Sequence, residues 1–135
     1  MGRGTPDLNE SVWADGGPFW PKLFAAIDAR DAAAFAAFLT SDGEFRFGNS
    51  PPVIGRPAIT AAVAGFFAAI GGCRHRLRAT WQGPGSAVCE GEVTYTRQDG
   101  STVTVPFANV FALRGAEIES YRIYIDNTPL FNAAA

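Results

Sequence analysis

Asn109 is the one polar residue in the stripe Val103, Val105, Phe107, Asn109, Phe111 and Leu113, where strict alternation sets every side chain on one face of a strand. A carboxamide among apolar neighbours needs a hydrogen-bond partner in a side chain, water or a ligand, or it loses about 1–3 kcal/mol. Glu90 and Glu92 stand one strand earlier, across Gln98-Asp99-Gly100-Ser101. Asp-Gly between two β-rich runs marks a hairpin. A two-residue Asp99-Gly100 loop sets Thr96 against Val103, Thr94 against Val105, Glu92 against Phe107 and Glu90 against Asn109, which brings both acids to the Asn109 face. A three-residue loop with a bulge moves the pairing by one residue and reverses this, turning Val93 and Tyr95 inward. Both registers stay open.

The first register would support acid–base chemistry. Removing a proton next to a carbonyl takes a base of near-neutral pKa and a donor aimed at the oxygen that gains charge. Glu92, in a cavity lined by Phe45, Phe47, Phe107 and Trp81, would have its pKa raised by desolvation, and Asn109 would be the donor. His75 and Asp126 are alternative bases. His75 is the only histidine of the chain; it alternates with Arg74, Arg76 and Arg78, and three arginines belong outside, so His75 faces inward. A core or dimer-interface histidine satisfies the same pattern as a catalytic one. Asp126 ends the last strand, where Tyr121, Ile123 and Ile125 share one parity and Arg122, Tyr124 and Asp126 the other.

The elements that must position these groups follow in order. Residues 1–15 read as a loose arm. Phe19, Trp20, Leu23, Phe24 and Ile27 recur at helical spacing over 18–29, with Pro21 in the first turn. Asp31 caps a second helix expected through Leu39. Glu44-Phe45-Arg46-Phe47 is a short strand ended by Gly48-Asn49-Ser50-Pro51-Pro52. Pro57 opens a third helix with Ile59, Val63, Phe66, Phe67 and Ile70 as its buried stripe, stopped by Gly71-Gly72. Strands over 74–81, 88–97, 103–113 and 118–126 complete one domain over 16–132, and 133–135 is a frayed tail.

Composition narrows the function. A chain of 135 residues with 47% apolar content makes one core. A net charge of -2 and a pI near 5.3, without a basic run, argue against nucleic acid and anionic membrane as partners. No apolar run approaches the roughly 20 residues of a membrane span, and Met1-Gly2-Arg3-Gly4-Thr5-Pro6 matches neither a signal peptide nor a myristoylation site, which predicts a cytoplasmic protein. Pairing about Gly83-Pro84-Gly85 sets Cys89 opposite Ala79 and leaves Cys73 about six residues further, or ~20 Å away, so both cysteines are expected free. Neither sits in a metal-binding pattern, and no metal is expected.

Helix, helix, strand, helix and a long meander resemble the nuclear transport factor 2-like superfamily, over about Pro18 to Phe131. The likeness rests on Phe35 to Phe47, on Pro51-Pro52-Val53-Ile54-Gly55-Arg56-Pro57-Ala58-Ile59, and on Val110-Phe111-Ala112-Leu113-Arg114-Gly115-Ala116-Glu117-Ile118 running into Tyr121 to Asp126. Together these look like SnoaL-like proteins and limonene epoxide hydrolase. The resemblance implies an α+β fold, a cone-shaped curved antiparallel sheet wrapped around three N-terminal helices, of the cystatin-like barrel type. The catalytic set of the epoxide hydrolases falls on Phe45, Phe47, Glu92, Thr94 and Ile123, none of which retains it, so epoxide hydrolysis is not expected. For ketosteroid isomerase the oxyanion-hole Tyr falls at Leu23 and the base at Phe47; Asn109 is the polar counterpart of the oxyanion-hole Asp. In SnoaL-type polyketide cyclases the acid/base Asp matches Asp126. The resemblance thus implies a pocket for a small hydrophobic ligand, with Leu23, Thr94, Tyr121 and Ile123 joining the aromatic lining, in a homodimer without cofactor. A cofactor-free lyase, isomerase or cyclase is the expected activity, and a non-catalytic binding or dimerisation module the alternative.

Overall fold

The computed structural model describes residues 20–131; the predicted arm, the first two positions of the first helix, and the tail lie outside them. Helix α1 (Trp20–Asp28) buries Trp20, Leu23, Phe24 and Ile27, a 3-1-3 spacing that makes one stripe. At about 1.5–3 kcal/mol for each large apolar side chain removed from water, that stripe fixes the helix on the sheet. Trp20 meets Phe111 edge-on at 5.5 Å and Phe24 lies 6.1 Å from Phe107. Arg30 ends the helix in the left-handed region (φ 57), and its guanidinium donates to the Ile70 carbonyl at 3.0 Å.

Helix α2 (Ala32–Ala36) has the expected cap, Asp31 accepting from the Ala34 N–H at 3.0 Å. It stops short of Leu39, because the Phe38 carbonyl already accepts from the Ile118 N–H of the last strand at 2.9 Å. Strand β1 (Leu39–Phe47) therefore starts earlier than the aromatic pair, with an irregularity between Leu39 and Glu44. A two-residue strand β2 (Val53–Ile54) follows, then α3 (Arg56–Ala69), which buries Ile59, Val63 and Phe67.

Strands β3 (Gly72–Gly83), β4 (Ser86–Thr96), β5 (Thr102–Arg114) and β6 (Glu117–Ile125) form the meander, and a short α4 (Thr128–Phe131) closes the described chain. The curved six-stranded sheet runs β2-β1-β6-β5-β4-β3, with β1 parallel to β6 and the other pairs antiparallel. The α+β architecture is the expected one. No helix among the described residues is long and apolar enough to cross a membrane.

Two registers decide which residues face the helices. At the β4–β5 hairpin Arg97 N–H donates to the Ser101 carbonyl at 2.7 Å, and Gly100 takes φ 89, so the loop has three residues with a left-handed glycine. Val93 then pairs with Val105, Tyr95 with Val103 and Cys89 with Asn109, while Glu92 pairs with Pro106. In β3 an extra residue, Arg78, bulges between the Leu77–Gly91 and Ala79–Glu90 pairs. A Cβ on Gly91 would collide with the Arg76 carbonyl oxygen, so the glycine makes the bulge possible. Beyond it the parity of β3 reverses. Thr80, not Trp81, turns inward opposite Cys89.

Candidate active site

Between the helices and the concave sheet face lies a cavity of about 800 Å³. Phe35, Phe45, Phe47, Phe66, Phe107 and Ile123 supply much of its apolar wall, and His75, Cys73, Tyr95, Asn109 and Tyr121 its polar points. Of the predicted lining, Phe45, Phe47, Phe107, Tyr121 and Ile123 are in place. The parity of β6 follows from pairing: Phe111 meets Tyr121 and Asn109 meets Ile123, which sets both β6 side chains on the inner face.

His75 is brought to the cavity by the inward parity of β3, and its acid partner comes from the last residue of α1. Nδ1 lies 2.6 Å from Asp28 Oδ1, and the His75 backbone N–H donates to Asp28 Oδ2 at 3.1 Å. Phe24 at 4.9 Å and Phe107 at 5.3 Å pack against the ring. The imidazole is 12% exposed and the carboxylate 27%. An ionised carboxylate only accepts, so in the neutral ring the tautomer that satisfies this contact carries its proton on Nδ1 and its lone pair on Nε2. That is the arrangement of an oriented general base.

Two residues before His75 on the same face, Cys73 donates to the Ile27 carbonyl at 3.5 Å, and its Sγ lies 3.8 Å from Asp28 Oδ1. Burial, with the Asp28 charge adding to it, pushes its thiol up to about 12. Both cysteines are free, as expected.

Asn109 is 2% exposed. Its Nδ2 donates to the Tyr121 hydroxyl at 3.3 Å, and its Oδ1 has no partner among the described residues. Burial pushes the Tyr121 phenol well above its ordinary range, so the hydroxyl keeps its proton and remains a donor. Phe45 at 5.4 Å and Phe35 at 5.5 Å pack against the Tyr121 ring.

Four expected site residues are placed elsewhere, and a fifth, Asp126, lies at the exposed edge of the cavity. Glu92 is on the outer face, 3.3 Å from Arg76 and 3.7 Å from Arg78, because the three-residue loop selects the other register. Thr94 shares that face, its hydroxyl 2.8 Å from that of Thr104. Trp81 is 39% exposed beyond the Arg78 bulge. Leu23 is fully buried in the α1 core and does not reach the cavity wall. Asp126 touches the cavity from an exposed position and accepts from the Thr128 N–H at 3.0 Å in the turn before α4. The Thr128 hydroxyl and N–H hold its carboxyl below the usual range, the wrong direction for a base near neutrality.

Asp28 was missed. Cys73 and His75, two apart in one strand, share a face by alternation, but no spacing in the sequence says which acid on which helix they meet.

Comparison with known folds agrees with this architecture. ActVI-ORFA from Streptomyces coelicolor is 27% identical, with a TM-score of 0.69 over 82% of this chain and 94% of its own. A putative SnoaL-like polyketide cyclase from Jannaschia sp. CCS1 is 14% identical, with a TM-score of 0.72 over 95% of this chain and 96% of its own. A hypothetical protein with a ketosteroid isomerase-like fold from Catenulispora acidiphila, solved in complex with trimethylamine, is 19% identical, with a TM-score of 0.73 over 78% of this chain and 83% of its own. A comparison with curated proteins returned no match. The SnoaL-like domain model matches residues 21–121, from the first turn of α1 to the tyrosine in the cavity wall, and the chain therefore belongs to the SnoaL-like domain family.

Proposed function

We propose that this protein is a cofactor-independent lyase, isomerase or cyclase that acts on a small, largely apolar carbonyl compound, with His75 as the base. The observation that carries the reading is the 2.6 Å contact between Asp28 and His75 at the wall of an aromatic cavity. Nε2 takes a proton from the carbon next to the substrate carbonyl. The imidazolium so formed is stabilised by the carboxylate already bonded to Nδ1, and the electron pair moves onto the carbonyl oxygen. The Asn109–Tyr121 pair supplies the donor for that oxygen from a dry wall, where a preorganised hydrogen bond is worth most. The same imidazolium then returns the proton to the product.

The test is exchange of α-hydrogens for deuterium in a bicyclic ketone such as 2-tetralone, followed by proton NMR in D2O. Wild type accelerates exchange, and His75→Ala lowers the rate by about 10²–10⁴, the range for loss of a general base. Equal rates in both proteins would remove His75 from the chemistry.

A second reading, a non-catalytic module of the same fold that binds a ligand and dimerises, is favoured by Trp81 and Tyr124, which stand 39% and 57% exposed on the outer sheet face. A dimer in sedimentation that binds the ketone without exchanging deuterium would select it.

A further inference from the structure

We propose that Asp28, Cys73 and His75 form a binding site for one divalent transition-metal ion of the zinc kind, in which Sγ, Nδ1 and a carboxylate oxygen are the protein donors. Their candidate ligand atoms lie within 4.8 Å of one another. Cys73 and His75 are set on one face of β3 by their two-residue spacing, and Asp28 comes from the end of α1. Mixed sulfur, nitrogen and oxygen donors are what zinc takes, at about 2.3, 2.0–2.1 and 2.0–2.2 Å. A tetrahedral shell with those bond lengths separates its donors by roughly 3.4–3.6 Å.

Cys73 Sγ and Asp28 Oδ1 are already 3.8 Å apart. The Nδ1–Oδ1 pair, at 2.6 Å, opens when the proton between the two atoms leaves. Coordination breaks the S–H bond of Cys73, whose proton passes to solvent. The imidazole proton moves from Nδ1 to Nε2, and the ion takes one lone pair from each of the three atoms. Three protein donors leave a fourth position toward the cavity, which both Cys73 and His75 line. An ion bound there occupies the nitrogen that meets Asp28 and leaves the imidazole proton on the one that serves as base, so the metal-bound and proton-abstracting states exclude each other.

The test is titration of untagged, metal-free protein with cobalt(II), read by the near-ultraviolet thiolate charge-transfer band and the visible bands of a tetrahedral ion, with zinc as competitor. Wild type takes up one equivalent, and zinc displaces it. Cys73→Ser abolishes the charge-transfer band and weakens uptake by at least about 10-fold, the low end of what losing even an outer partner of a ligand costs. Asp28→Asn weakens uptake as well, while Cys89→Ser leaves the band and the affinity unchanged. Absence of saturable uptake by wild type, or a band that survives in Cys73→Ser, would overturn the site. These readouts need no turnover, so they stand or fall separately from the role of His75 as base.

Discussion

The Asp28 carboxylate holds His75 twice, Oδ1 meeting Nδ1 at 2.6 Å and Oδ2 accepting the His75 backbone N–H at 3.1 Å. One side chain from α1 therefore fixes both the position of β3 and the orientation of the ring that β3 carries. A charge-assisted hydrogen bond of this kind contributes about 1.5–3 kcal/mol. Asp28→Ala should lower stability to urea by about that amount and slow α-hydrogen exchange together. In Asp28→Asn the fold should be nearly retained while exchange still falls, because an amide can hold the ring but stabilises the imidazolium less.

Glu92 gives the contrasting prediction. It faces outward beside Arg76 and Arg78, and exposed ion pairs are worth about 0–1 kcal/mol. Glu92→Gln should leave α-hydrogen exchange at the wild-type rate and shift the urea midpoint only slightly. A large loss of exchange would mean that the β4–β5 register is the other one.

Gly91→Ala tests the bulge that turns Trp81 outward. The added methyl would collide with the Arg76 carbonyl oxygen and sit 2.9 Å from Leu77 Cα. Backbone cannot yield as a flexible side chain does, and a loss of about 1–3 kcal/mol is expected. Tryptophan fluorescence should report a changed environment for Trp81.

The Cys73 thiol sets an alkaline limit. Its value is raised from 9.0 to about 12 by burial, then by Asp28. The folded state therefore binds the proton more tightly than the unfolded state, so the contribution to stability is complete below about pH 9 and is lost as pH rises toward 12. Iodoacetamide should label native Cys73 slowly at pH 8, and much faster once urea unfolds the chain.

Much of this fold is legible in the chain. The alternation of β5 correctly puts Asn109 on the inner face, and Asp31 caps the helix it was expected to cap. What alternation cannot supply is phase across an irregularity. One glycine at Gly100 moves Glu92 and Thr94 to the outer face, and one extra residue at Arg78 does the same to Trp81. The Asp28–His75 contact spans 47 positions and depends on how α1 lies on β3, a matter of packing with no local signature. For Asp126, the residue type was informative, but the Thr128 hydrogen bonds that lower its basicity became visible only with the turn after β6.

Because the chain has a single histidine, nitrogen-15 NMR of the imidazole in untagged protein tests the account most directly. The neutral ring is predicted to show a proton on Nδ1, shifted downfield by its short bond to Asp28, and an unprotonated Nε2. Asp28→Asn should remove the downfield shift. A neutral ring protonated on Nε2, with the same spectrum in Asp28→Asn, would contradict the claim that Asp28 prepares His75 to accept a proton inside the cavity.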